Sequence, residues 1–159
     1  MVSSLQAIWP RAAPSPFHKE LLLNDPKSLI LVAMEVKKKI LLVEDDETLA
    51  AVYKQRLELE GFEIQHSKNG EDALDTAVKF QPDLILLDVM MPKLNGFDVL
   101  DILRNTPATR NIHIIMLTAL SQPKDAERAK ELGADDFLVK SQVVIGDVVS
   151  RVKHQLGVA

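Results

Sequence analysis

The sequence predicts an α/β domain in which five parallel strands form one doubly wound sheet with helices on both faces. Two observations carry this. Short apolar runs alternate strictly with segments of helical period, five of each, from Lys39 to Leu156. The central run, Leu84-Ile85-Leu86-Leu87, is apolar at every position, the pattern of a strand buried on both faces of a parallel sheet. Alternation with right-handed crossovers, in so short a chain, points to the flavodoxin-like strand order 2-1-3-4-5. The switch point then lies between strands one and three, and ligands collect beyond the carboxyl ends of the strands.

Each element has a local cause. Lys39–Val43 is an apolar strand. Thr48–Glu60 is a helix with Leu49, Val52, Tyr53 and Leu57 on one face, ended at Gly61. Glu63–Ser67 alternates like a strand nearer an edge. Asn69–Phe80 is a helix with Asn69 as N-cap and Ala73, Leu74 and Ala77 inward, closed by Pro82. Leu84–Asp88 is the central strand. Gly96–Asn105 is a helix with Phe97, Leu100 and Leu103 inward, stopped before Pro107. Ile112–Thr118 is the fourth strand. Pro123–Leu132 is a short helix with a thin apolar face of Ala126, Ala129 and Leu132, capped by Gly133. Phe137–Val139 is a brief strand, and Val143–Leu156 a last helix with Ile145, Val148, Val149, Val152 and Leu156 inward.

Residues 1–36 differ from the rest. Pro10, Pro14, Pro16 and Pro26 interrupt them and no period holds, so they read as a poorly ordered N-terminal extension to a domain at 37–157. A docking segment built on Ile8, Trp9 and Phe17 is the functional alternative. The 159 residues are 47% hydrophobic, which suits one domain with a core. The net charge of −4 argues against a nucleic-acid surface. The absence of cysteine excludes disulfides and zinc–thiolate sites and suits the cytoplasm. No apolar run is long enough for a membrane span.

Four strand ends converge on one edge. Strand one runs into Glu44-Asp45-Asp46, strand three into Asp88, strand four ends at Thr118 and strand five leads to Lys140. Clustered carboxylates repel one another; they take up protons or recruit a cation. Oxygen ligands without His or Cys select a hard ion such as Mg2+. With the ion in place Asp88 can act as a nucleophile toward phosphorus, with Lys140 and Thr118 available to the phosphoryl oxygens. Singly, each residue has a plainer role: Asp46 as a helix cap, Thr118 as a strand former, Lys140 as a solvated cation. His18, His66, His113 and His154 share no ligand spacing and read as surface or packing residues.

In Leu41-Leu42-Val43-Glu44-Asp45-Asp46, Leu86-Leu87-Asp88-Val89-Met90-Met91-Pro92 with Gly96, Met116-Leu117-Thr118-Ala119 and Gly133-Ala134-Asp135-Asp136-Phe137-Leu138-Val139-Lys140, the sequence resembles a response-regulator receiver domain of the stand-alone kind. The resemblance spans residues 37–157. It implies that Asp88 is the phosphoacceptor, served by a sensor histidine kinase or phosphotransfer protein. It implies that Asp45 and Asp88 ligate Mg2+ directly, Glu44 through water, and Met90 through its backbone carbonyl. Thr118 and Phe137 match the family's switch pair, whose movement repacks the face formed by the fourth helix, fifth strand and fifth helix for a downstream protein. The implied state is a monomer or a phosphorylation-dependent dimer.

Three departures stand out. Ser141 replaces the proline that commonly follows the lysine, often through a cis bond. The switch aromatic is Phe137, with no ring hydroxyl. Met90 and Leu120, two residues past Asp88 and Thr118, are apolar and flank the approach of water to an acyl phosphate, so slow self-dephosphorylation is expected. With no further domain after Leu156, output is expected through protein contacts or phosphoryl relay. The rival readings are a degenerate receiver acting as a phosphorylation-independent interaction module, a magnesium phosphatase of the haloacid-dehalogenase type, and a flavin binder. The phosphatase needs a second acid where Met90 stands. The flavin binder needs a phosphate-cradling loop where Glu44-Asp45-Asp46 would repel its ligand.

Overall fold

Five parallel strands, β1 (Lys39–Val43), β2 (Glu63–Ser67), β3 (Leu84–Leu87), β4 (His113–Thr118) and β5 (Asp136–Val139), pair in the order β2-β1-β3-β4-β5, as the sequence predicts. The helices between and after them are α1 (Glu47–Leu59), α2 (Gly70–Phe80), α3 (Gly96–Arg104), α4 (Pro123–Glu131) and α5 (Ile145–Leu156). This computed structural model describes Pro26, Lys27 and residues 36–159. By their contacts Lys37–Ala159 form one unit. The expected extension over residues 1–36, and the docking reading of Ile8, Trp9 and Phe17, lie almost wholly outside the described residues.

The period of two along each strand divides the core in two. Ile40, Leu42, Leu84, Leu86, Ile115 and Leu117 face α1 and α5, where they meet Tyr53, Leu57, Val148 and Val152. Leu41, Val43, Ile85, Leu87, Ile114 and Met116 face α2, α3 and α4, where they meet Ala77, Phe97, Leu100 and Ala129. The central strand is buried at all four positions because both faces are covered.

Caps set the helix starts. The Asp46 carboxylate accepts from the Leu49 amide at 3.0 Å, Asn69 from Asp72 at 2.9 Å and Asn95 from Asp98 at 3.1 Å. At the far end of α2, Gln81 takes a left-handed conformation (φ 49°) ahead of Pro82.

Some boundaries and faces differ from expectation. Val52 is 50% exposed, while Ala50 is buried. The buried stripe runs through Ala50, Tyr53 and Leu57, and Val52 lies about 100° round the helix from Tyr53. Ala126 and Leu132 are only half-buried, so α4 buries Ala129 alone. The last helix begins at Ile145 because Lys140–Gln142 form a 3-10 turn first. No peptide bond among the described residues is cis, so the Lys140–Ser141 bond is trans.

Candidate functional site

Register builds the site. Val43 pairs with Leu87 across β1 and β3, so the next residue on each strand, Glu44 and Asp88, emerges at the same level of the sheet edge. The Asp88 amide donates to the Val43 carbonyl at 3.1 Å and the Glu44 amide to Ser67 at 3.1 Å, which carries the ladder one residue past the strands. Both carboxylates are therefore held by backbone, and both are buried, at 3% and 4% exposure. Asp45 is exposed, and its carboxylate meets theirs: one oxygen from each of Glu44, Asp45 and Asp88 lies within 4.8 Å of the others.

Lys140 reaches this cluster from the end of β5. Its ammonium donates to Glu44 Oε2 at 2.6 Å and to Asp88 Oδ2 at 3.0 Å. Burial pushes the Glu44 carboxyl above the ordinary glutamate range, with the Asp88 charge adding to the rise, although the Lys140 ammonium opposes it. Burial works against the Lys140 ammonium too, yet its hydrogen bonds to Glu44 and Asp88 outweigh that and hold its proton above the usual lysine range. Three carboxylates thus face one ammonium. The donor set is all oxygen, and the negative excess suits a divalent ion of the magnesium kind.

The other predicted residues sit at or near the ends of β3, β4 and β5. Thr118 is fully buried at the end of β4, and its Oγ1 accepts from the Leu120 amide at 3.3 Å. Leu120 is half-buried and Met90 is 56% exposed. The Met90 amide donates to Asp88 Oδ1 at 3.2 Å, closing an Asx turn over the acid. Phe137 is half-buried on β5, two residues ahead of Val139, which pairs with Thr118. Of the histidines, His66 hydrogen-bonds the Glu44 carbonyl at 2.7 Å and His113 meets Gln155 at 3.0 Å, while His154 is exposed; His18 lies outside the described residues.

Two features of the site were not legible as such. Gly96 was part of a motif, but its reason is steric: a Cβ there would stand 2.1 Å from the Asp88 carbonyl oxygen. The glycine lets the start of α3 lie directly on the acid's own backbone. Tyr53 read as a core residue, and it is one, yet its phenol feels the charges of Lys140, Glu44 and Asp88, and burial raises its pKa. Only the stacking of α1 against the sheet brings it there.

The model of the response regulator receiver domain family matches residues 40–152. The chain belongs to that family. The transcriptional regulatory protein CpxR of Escherichia coli is 50% identical over 102 residues, covering 64% of this chain and 42% of that protein. The DNA-binding dual master transcriptional regulator RpaA of a Synechocystis strain is 40% identical over 102 residues, with the same coverage. This receiver chain therefore spans less than half the length of those regulators. Among solved structures, the signal receiver domain of a signal transduction histidine kinase from Syntrophus aciditrophicus superposes with a TM-score of 0.69 at 39% identity, covering 76% of this chain and 90% of that one. A CheY-like receiver from Methanospirillum hungatei gives 0.72 at 25% identity, over 77% and 95%. The names of CpxR and RpaA are those of transcription regulators, whereas the Syntrophus domain is the receiver of a signal transduction histidine kinase. Among the described residues no helix is long and apolar enough to cross a membrane.

Proposed function

We propose that this receiver accepts a phosphoryl group on Asp88 from a phosphohistidine of a sensor kinase or phosphotransfer protein, and that the modification switches a protein-binding face. The observation that carries it is the buried Asp88 carboxylate held between Lys140 and two further acids at the sheet's carboxyl edge. In the transfer, the phosphorus–nitrogen bond of the donor breaks and a phosphorus–oxygen bond to an Asp88 Oδ forms; the imidazole leaves with the electron pair. Asp45 and Asp88 would hold Mg2+ directly, Glu44 through water and Met90 through its carbonyl. The bound ion would neutralise charge on the phosphoryl oxygens.

The chain's own residues do the rest. Lys140, already within hydrogen-bond reach of Asp88, supplies an ammonium to the phosphoryl group. Thr118 gives up the Leu120 amide and turns its hydroxyl toward the new oxygens, and Phe137 fills the vacated space. Output then passes through the surface of α4, β5 and α5 to a protein partner, in the cytoplasm. The receiver begins near Lys37 on this reading. Removal of residues 1–33 is expected to leave thermal stability unchanged; a large loss would place the segment within the fold.

Acetyl phosphate labelling with and without Mg2+ tests the proposal. Acid-labile, base-labile label should appear only with the ion and disappear in Asp88→Asn. Equal labelling of that variant, or none of the native chain, would remove Asp88 from the role. The second outcome would favour the phosphorylation-independent interaction module.

A further inference from the structure

α4 is held to the domain in an unusual way. It buries one side chain, Ala129, and its N-cap residue Gln122 makes no side-chain capping bond. Apolar burial of one alanine does little to fix a helix. Its C-terminal end is pinned instead by an arginine from α3. Arg104 donates to the Gly133 carbonyl at 2.8 Å and to Asp135 Oδ2 at 3.1 Å, and to the Ile112 carbonyl at 2.6 Å. Gly133, at φ +99°, turns the chain there with no Cβ to press on the Arg104 stem. The loop entering the other end of α4 is tied to Thr118 by the 3.3 Å bond from the Leu120 amide. Between the two ends, the exposed Arg128 lays its guanidinium 4.3 Å from the centre of the buried Phe97 ring on α3.

We infer that the Arg128–Phe97 contact is a latch that keeps the domain in its unswitched state. The inference rests on Asp88 being the phosphoacceptor. When Thr118 turns toward the acid, the entry to α4 is released while Arg104 keeps the exit fixed. The helix then pivots about its C-terminal end, and the Arg128 guanidinium, carried by the last turn of the helix, slides off the Phe97 ring. A contact made in one state and lost in the other biases the equilibrium by its own strength. A cation over an aromatic ring at a partly exposed site corresponds to about a two- to fivefold bias. Where the switched state is the minor one, losing the latch raises its fraction, and the apparent affinity for a phosphoryl mimic, by that same factor.

The test is a titration of the full chain with beryllofluoride at saturating Mg2+, followed by amide NMR. Arg128→Gln is a surface change that leaves the ring and the core in place. It is expected to tighten beryllofluoride binding about two- to fivefold and to move the α4 amide signals of the unliganded protein toward their bound positions. Arg128→Lys keeps a cation over the ring and should bind within about twofold of the native chain. Unchanged affinity and unchanged signals in Arg128→Gln, beside normal binding by the native chain, would overturn the latch alone. Failure of the native chain to bind beryllofluoride would overturn the acceptor role of Asp88 and the latch with it.

Discussion

Replacing Gly96 with alanine probes how tightly the acid is built into the backbone. In most helices this change stabilises, by up to about 1 kcal/mol, because alanine has the lower backbone entropy cost. Here the new methyl would stand 2.1 Å from the Asp88 carbonyl oxygen and 2.7 Å from Val89 Cα. Ordinary contact begins at 3.4 Å, so α3 and the Asp88 backbone must part by about 1.3 Å. Both obstructing groups are main chain, and neither can rotate away. Overpacking of this kind costs about 1–3 kcal/mol, which outweighs the helix gain and lowers the melting temperature by about 3–6 °C for each kcal/mol lost. The displacement also exceeds the roughly 0.5 Å within which a binding constellation must be held. Beryllofluoride binding with Mg2+ should therefore weaken about tenfold or more. Urea unfolding and calorimetric titration measure the two effects. Gly146→Ala in α5 is the control: its Cβ meets nothing within 4 Å, and a gain of a few tenths of a kcal/mol, up to about 1, is expected. If Gly96→Ala matched that control in both stability and binding, the steric account of the loop would be wrong.

Removing the Lys140 ammonium by Lys140→Met strands two buried carboxylates, and neutral-pH stability should fall by about 1–3 kcal/mol; added Mg2+ should restore more stability to the variant than to the native chain, and equal responses would contradict the pairing. The Glu44 pKa is raised by burial, so the folded state binds the extra proton: stability rises as pH falls through the folded value toward about 4.3, and Mg2+ affinity weakens over the same window. Glu60 behaves in the opposite sense. Its carboxyl is held below the ordinary range by the hydrogen bond from Lys153 of α5, 2.7 Å away, with Arg56 adding to it. Its contribution is present above the unfolded pKa and is lost as pH falls through the folded one, so Glu60→Gln should differ from the native protein in urea midpoint at pH 7 and converge with it in acid. Finally, Met90→Asn with Leu120→Gln should shorten the half-life of the phosphorylated form, because polar groups beside the acid can orient water; an unchanged half-life would dismiss the apolar screen.

The order of the sheet was legible because it follows from connectivity. Strict alternation of apolar runs with helical periods leaves a parallel, doubly wound sheet as the economical solution, and hydrophobic period alone separates strands buried on both faces from those nearer an edge. The convergence of Glu44, Asp45, Asp88 and Lys140 followed from the same order, since each ends a strand or follows one. Other details were not legible for a definite reason. Apolar character puts Val52 with the inward set but does not say which side of a stripe a residue occupies; the angle at which α1 lies on the sheet decides that, and Val52 is exposed.

The sequence by itself determined the strand order and which acids share an edge, because register and alternation are encoded residue by residue along the chain. Tertiary structure alone decided that the Lys140 ammonium lies closer to Glu44 than to Asp88, that Gly96 gives α3 its seat on the Asp88 carbonyl, and that α4 rests on Arg104 and Arg128 rather than on an apolar face. These depend on distances between segments far apart in the chain, and such distances are set by how whole helices pack on the sheet.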